Sequence, residues 1–174
     1  MKTLKNIGMC LGTCAALAAL PAVAAPEAGD NEVVLAGNGT SDQDFDTNSF
    51  GLSGHYGWYL SDSFELGIRQ SLSGVSVDDG DDTWAGSTRV FADYHFGRGT
   101  VLPFVGANIG GIYGEGVNDT GAAGVEAGLK WFVKEETFIM FMAEYQFLFE
   151  DADDIDDAFD DGAFSYTVGV GFTF

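Results

Sequence analysis

Basic side chains are scarce in this sequence. Its 174 residues hold 7 lysines and arginines against 27 aspartates and glutamates, a formal net charge of −20. Nucleic-acid binding needs a basic footprint, and this balance excludes it. Cysteine is rarer still: the 2 cysteines, Cys10 and Cys14, both fall in the first 24 residues. The remainder can form neither a disulfide nor a thiolate metal site. Long apolar runs are missing too. Beyond residue 24 none reaches the roughly 18 residues of a membrane helix. Glycine, at 25, and aromatics, with 15 phenylalanines, 6 tyrosines and 3 tryptophans, are plentiful, and the hydrophobic share is 46%. That is not the composition of a disordered acidic tail. The length fits one domain.

The first residues read as a processing segment. Lys2 and Lys5 give a positive start, Ile7 to Leu20 is apolar and uncharged, and Pro21 precedes Ala22-Val23-Ala24. This is the pattern of a bacterial secretory signal with cleavage before Ala25. The chain divides into a signal peptide, 1–24, and a mature domain, 25–174. Leu11-Gly12-Thr13-Cys14 loosely matches a lipoprotein box, but Thr13 is a poor residue before a modified cysteine. Cleavage there would also cut the apolar run short. With Lys2 and Lys5 removed, 5 basic residues face 27 acidic ones, a net charge of −22.

A period-two pattern recurs along the mature chain. Phe50, Leu52, Tyr56, Trp58 and Leu60 alternate with Ser53, His55 and Gly57. Phe64, Leu66 and Ile68 oppose Glu65, Arg69 and Ser71. Val90, Ala92, Tyr94 and Phe96 oppose Arg89, Asp93 and His95. Val101, Val105, Ala107, Ile109 and Tyr113 form the apolar face of the next run. Ala123, Val125, Ala127, Leu129, Trp131 and Val133 oppose Glu126 and Lys130. Ile139, Phe141, Ala143, Tyr145, Phe147 and Phe149 oppose Glu144 and Gln146, with Phe138, Met140 and Met142 blurring the polar face. A weaker run surrounds Val33, Val34 and Leu35.

With the run ending at Phe174, eight strands are predicted. Several approach the 9–11 residues that a tilted strand needs to cross a bilayer. Short turns at 60–63, 97–100 and 133–136 alternate with longer connections at 40–48, 73–86, 114–121 and 150–162. That asymmetry predicts an all-β, eight-stranded antiparallel up-and-down transmembrane β-barrel. Alternation alone also fits a soluble sandwich or lipocalin-like barrel. Glycine-rich polar faces favour a narrow lumen. Aromatics at strand ends favour a membrane barrel: Trp58, Phe64, Phe96, Trp131, Phe172 and Phe174 near the short turns, and Phe50, Tyr113, Phe149 and Phe164 near the long ones. Two girdles fit two membrane interfaces.

The chain ends inside its last strand on Tyr166, Val168, Val170, Phe172 and Phe174. This alternation resembles the terminal signature of bacterial outer-membrane barrels. Val101-Leu102-Pro103-Phe104-Val105-Gly106-Ala107 resembles a strand opening of the small eight-stranded class: the OmpA transmembrane domain, OmpX- and Ail-like barrels, OmpW-like and opacity-type proteins. The resemblance implies residence in the outer membrane of a Gram-negative cell. It also implies insertion by the outer-membrane assembly machinery, contact with membrane lipid and lipopolysaccharide, and a monomer.

The predicted inward faces carry His55, Glu65, Arg69, Arg89, Asp93, Glu126, Lys130 and Glu144, with His95 beside them. Charges confined in a narrow lumen should pair, because unpaired buried charge is costly. The bland outcome is a salt-bridged plug and the sharper one a gated path. Glu126 and Glu144 would repel each other across their hairpin unless a cation stands between them. A wide porin is excluded, since water-filled channels take about 16 strands.

The four long connections hold seventeen acids and no lysine or arginine. Among them are Asp42, Asp44, Asp46, Asp78, Asp79, Asp81, Asp82, Asp151, Asp153, Asp154, Asp156 and Asp157. Such hard oxygen ligands suit Ca²⁺ or Mg²⁺. Asp42-x-Asp44-x-Asp46 lacks the later glycine and glutamate of an EF-hand, so plain solvation of the acids is the competing reading. No long connection contains histidine, which argues against an outer-rim catalytic site. The sequence therefore predicts a non-enzymatic surface anchor with acidic outer segments. A narrow channel for small or apolar solutes is the alternative, and a lipid-modifying enzyme is the remotest.

Overall fold

The computed structural model describes residues 25–41, 48–75, 83–114, 117–149 and 162–174. Eight strands follow in order: β1 (Asn31–Ser41), β2 (Asn48–Ser61), β3 (Phe64–Val75), β4 (Thr83–His95), β5 (Val101–Gly114), β6 (Val117–Phe132), β7 (Thr137–Phe149) and β8 (Ala163–Thr173). Each pairs antiparallel with its sequence neighbour, and β1 pairs with β8 to close the barrel. Closure leaves no open sheet edge. The signal-peptide reading falls on residues outside those described.

Two of the expected connections are much shorter than the sequence suggested. β3 ends at Val75 and β4 begins at Thr83, while β5 and β6 are separated only by residues 115–116. Trp84 therefore stands on a strand, and Asp119 belongs to β6. Polar and acidic residues there masked strands whose backbone pairing continues regardless of side-chain type.

The outward faces form an apolar band. Leu35, Leu52, Ile68, Val90, Val105, Ile109, Val125, Val168 and Val170 are all exposed. At the short-turn end Trp58, Phe64, Phe96, Trp131, Phe172 and Phe174 are exposed around it, and at the other end Trp84, Tyr113 and Phe164. An exposed apolar belt between aromatic rings is the surface of a barrel solvated by lipid. Water would make the same surface an aggregation patch.

Glycines make room for large neighbours on both faces. Inside, Phe91 lies over Gly67, Phe104 over Gly128 and Phe138 over Gly171. Outside, Tyr113 lies over Gly86 and Phe149 over Gly121. A ring laid over a glycine restores packing that the missing side chain would leave open.

The short-turn end is tied to the chain's start. The Gly29 amide donates to the Tyr59 carbonyl at 2.8 Å and the Ala28 amide to Asp62 Oδ1 at 3.0 Å. Arg98 pairs with Asp62 from the neighbouring turn. The Ala28 amide and the Arg98 guanidinium hold the Asp62 carboxyl below its ordinary value of 3.8. A lowered carboxyl stabilises the folded tie above its unperturbed value, and the tie weakens as pH falls through the lowered one. Hydrogen exchange at the Ala28 amide should therefore stay slow down to that value and then accelerate. Asp62→Asn should abolish the acid dependence.

The glycines give a second expectation. A Cβ at Gly110 would run into the Thr88 carbonyl and the Arg89 backbone, whereas one at Gly54 meets nothing within 4 Å. Gly110→Ala should cost about 1–3 kcal/mol by overpacking, while Gly54→Ala should change stability by no more than about 1 kcal/mol. Urea midpoints for unfolding from lipid vesicles would compare them.

Candidate functional site: the charged interior

The interior is layered from the short-turn end outward. The short-turn half holds an apolar cluster, Val34, Ala36, Leu102, Phe104, Phe132, Phe138, Met140 and Met142, packed around the Lys130 side chain. A salt-bridged polar core was the expectation, and this cluster adds an apolar part to it. Phe138, Met140 and Met142, which blurred the alternation of β7, point inward as part of this seal. Their outward neighbours Ile139 and Phe141 are also apolar, so β7 carries apolar groups on both faces.

Lys130 sits against this layer, 1% exposed. Its Nζ donates to both Glu32 oxygens at 2.7 Å, to Glu65 Oε2 at 2.7 Å and to the Tyr59 hydroxyl at 3.0 Å. The Tyr59 hydroxyl in turn donates to Glu32 Oε2 at 2.8 Å. The rings of Tyr59, Phe104 and Phe138 surround the ammonium at 5.3, 5.7 and 5.4 Å from their centroids. An ammonium has three protons to donate, and here carboxylates, a hydroxyl and ring faces meet it on several sides. His95 lies beside Glu65, Nε2 to Oε2 3.5 Å.

The next layer is built on two arginines. Arg69 grips Glu126 with both terminal nitrogens, at 2.9 and 2.7 Å, and reaches Glu144 at 3.4 Å. Arg89 pairs with Glu144 and donates to Gln146 Oε1 at 2.6 Å. Glu126 and Glu144 are direct cross-strand partners. The guanidinium of Arg69 spans both, so the expected repulsion is relieved. Asn108 completes the layer: its Nδ2 donates to Glu126 at 2.6 Å and Glu144 at 3.0 Å, and its Oδ1 accepts from Arg89 at 3.3 Å. Arg69 also lies over the Phe91 ring, 5.2 Å from its centroid. Bidentate arginine–carboxylate pairs are the strong form of this interaction.

Above the arginines the lumen opens into a cavity of about 100 Å³. Its walls include Asn38, Thr40, Ser53, Ser71, Ser87 and Thr167, and its floor Arg69, Arg89 and Glu144. Ser53 Oγ and His55 Nε2 are 3.2 Å apart. The ring of His55 faces Phe91, 6.1 Å between centroids, and its cross-strand partner is Arg69. A nucleophile–base pair is ordinarily oriented by a third, acidic group, and arginine and phenylalanine do not play that part.

The structure thus places His55, Glu65, Arg69, Arg89, Asp93, Glu126, Lys130 and Glu144 inside, all buried. It divides them between two centres, with Lys130 and Glu65 in one and the arginines, Glu126 and Glu144 in the other. Glu32, Tyr59 and Asn108 were missed. Tyr59 and Asn108 continue the inward registers of His55-Gly57 and Gly106, so alternation alone could have found them. Glu32 precedes inward Val34 and Ala36, so its strand has no polar face to follow. With Glu32 the interior holds five carboxyl groups against three arginine or lysine side chains, not four against three. Asp93 packs against Glu126 and has an oxygen without a protein partner.

The candidate cation ligands Asp42, Asp44, Asp46, Asp78, Asp79, Asp81, Asp82, Asp151, Asp153, Asp154, Asp156 and Asp157 lie outside the described residues. Among the described residues no group of three or more histidine, cysteine, aspartate or glutamate side chains could hold a metal.

No protein-family profile and no curated protein matches the chain. Solved structures do. The N-terminal β-barrel domain of OprF from Pseudomonas aeruginosa matches with a TM-score of 0.55 at 23% identity, over 84% of this chain and 99% of that one. The outer-membrane protein OprG from Pseudomonas aeruginosa matches with 0.62 at 11% identity, over 85% and 97%. Ail, the attachment invasion locus protein of Yersinia pestis, matches with 0.52 at 15% identity, over 84% and 99%. At these identities the likeness is one of fold, and the chain has the fold and lipid-facing surface of the small eight-stranded outer-membrane barrels.

Removing one partner of a buried pair leaves the other charge uncompensated. Arg69→Ala should therefore destabilise the barrel by about 3–5 kcal/mol. Asp93→Asn removes a surplus carboxyl and no ion pair, so its melting temperature should hold or rise, while Glu126→Gln should lower it. Thermal unfolding in detergent micelles would rank the three.

Proposed function

We propose that this protein is a closed outer-membrane barrel that acts as a surface anchor, holding acidic segments outside a Gram-negative cell. The observation that carries this is the sealed interior. Among the described residues the cavity ends on the arginine layer, and the Lys130 cage and the phenylalanine–methionine layer lie beneath it. Nothing in that stack reads as a water path. The outer connections carry the acids, and all 7 lysines and arginines lie elsewhere, at positions 2, 5, 69, 89, 98, 130 and 134.

That sign distribution bears on the partner. A structure of Ail holds the heparin analogue sucrose octasulfate, a polyanion. The outer segments of this chain would repel a polyanion. They suit a cationic surface, or lipopolysaccharide phosphates bridged by Ca²⁺ or Mg²⁺. The role is non-enzymatic on this reading, the protein is a monomer, and it reaches the membrane after signal cleavage and delivery to the assembly machinery.

The narrow-channel alternative draws on the cavity, which is half of a pathway. It requires Arg69 to leave Glu126 and the aromatic layer to part. Planar bilayers containing the protein should show closed traces with and without millimolar calcium. Discrete unitary openings would overturn the sealed anchor and make Arg69, Arg89 and Glu126 the pathway residues. Calcium should also slow proteolysis of the outer segments, and an unchanged digestion rate would remove divalent bridging from the proposal.

A further inference from the structure

The lipid-facing side of β4–β6 is not uniformly convex. Ala92, Ala107 and Ala123 floor an apolar groove of about 370 Å³, walled by Val90, Ile109, Val125 and Phe147. Ala92 and Ala107 are cross-strand partners, as are Val90 and Ile109, while Ala123 faces both Ile109 and Phe147. Small residues side by side lower the surface, and larger neighbours leave walls.

One register step toward the outer end, the surface becomes polar. Thr88 pairs with Gly111 next to the Val90–Ile109 pair. The Thr88 hydroxyl donates to Gln70 Oε1 at 2.6 Å, and Gln70 Nε2 donates to the Tyr113 hydroxyl at 2.6 Å. Thr88 and Tyr113 hydroxyls are themselves 3.1 Å apart. The Tyr113 ring lies across Gly86, which lets its hydroxyl reach this group. All three polar residues face outward, where hydrophobic side chains surround them. The three bond one another at the level of the outer aromatic girdle, so the groove is polar at its outer end and suits a ligand that is polar there.

We propose that this face binds one hydroxyacylated glycolipid of the outer leaflet, with an acyl chain in the alanine-floored groove and the hydroxyl or amide at the head of that chain on Gln70, Thr88 and Tyr113. The proposal rests on the outer-membrane reading above and is continuous with the lipid-facing band. The polarity runs the right way for the outer leaflet, with hydrogen bonding toward the cell exterior and the groove toward the midplane. An inner-leaflet lipid would enter reversed. The absence of cations narrows the chemistry further. Every lysine and arginine beyond residue 5 is inside the barrel or in a short turn, so a phosphate finds no counter-charge on this face. Recognition falls to neutral groups. The triad both donates and accepts, which matches a hydroxyl or amide better than a glycerol ester that only accepts.

The full chain, expressed in a Gram-negative host and purified from its outer membrane in detergent, can be examined by native mass spectrometry. The probes are hexa-acyl lipid A and a phosphatidylglycerol of matched chain length. One lipid A should be retained in preference to phosphatidylglycerol. Ala107→Phe fills the groove and should abolish that retention. Tyr113→Phe keeps the ring on Gly86 and removes one hydroxyl, so retention should weaken about fivefold, the worth of one hydrogen bond. Thr88→Val should act in the same direction and serves if Tyr113→Phe fails to fold. Leu35→Phe, exposed on the opposite wall, should change nothing. Equal retention of both lipids, or retention that survives Ala107→Phe, would overturn the site. Failure of the chain to reach the outer membrane at all would instead overturn the reading beneath it.

Discussion

In hydrocarbon a strand's backbone amides and carbonyls have no water to turn to, so each must be bonded within the protein. Closure of β1 onto β8 satisfies that demand, and the rest of the molecule follows from it. With eight strands, side chains nearly fill the interior. Side chains that alternate outward are given to lipid, and every inward one shares a narrow space with the inward residues of the other strands. Charges placed there have little access to water, which forces them into contact with one another.

The two ion centres show how that confinement is met. Arg69 and Arg89 can serve Glu126 and Glu144 only because cross-strand register sets the two carboxylates side by side. Lys130 is held differently, by two carboxylates and a hydroxyl inside a surround of aromatic faces. Glycine is what lets these groups fit. A Cβ on Gly57 would occupy the place of a Glu65 oxygen, and one on Gly106 that of Asp93. The glycine richness of the inward faces thus reflects recesses for charged and aromatic neighbours more than an open lumen. The surplus of carboxyl groups remains the unusual feature of this interior. Asp93 carries the least compensated part of it, packed against another carboxyl and holding an oxygen that no protein donor meets.

Strand number, the outward faces and seven charged inward positions, with His55, were legible in the sequence, six of the seven because alternation in β3, β4 and β6 is strict. Legibility failed where one face stopped announcing itself. In β1, inward Val34 and Ala36 are as apolar as outward Val33 and Leu35, which hid Glu32. In β7 both faces are apolar, which hid the seal made by Phe138, Met140 and Met142. The outer ends of β4 and β6 were taken for loops because Thr83, Asn118 and Asp119 are ordinary loop residues. Backbone pairing, to which side-chain polarity is indifferent, holds Thr83 against Val75 and resumes at Val117 and Thr120 on either side of an irregularity. The layering could not be read from any one strand, since it is a property of heights around the barrel.

The placement of this chain's few cations bears on whether it is an anchor or a channel. Three are buried in the interior, and the exposed Arg98 belongs to a short turn. None stands near the outer end. On the proposed reading the acidic outer segments meet no local counter-charge and would gather counter-ions over a Debye length of about 8–10 Å. A solute arriving from outside meets those segments first, then the hydroxyl-lined cavity, then guanidinium groups whose charge is already taken up by Glu126 and Glu144. An anion is turned away at the rim. A cation that reaches the floor meets arginines and a Glu144 carboxylate already bonded to them. A floor of mutually neutralised pairs offers a passing ion of either sign no ready site, which is a poor design for ion permeation and a consistent one for a closed barrel.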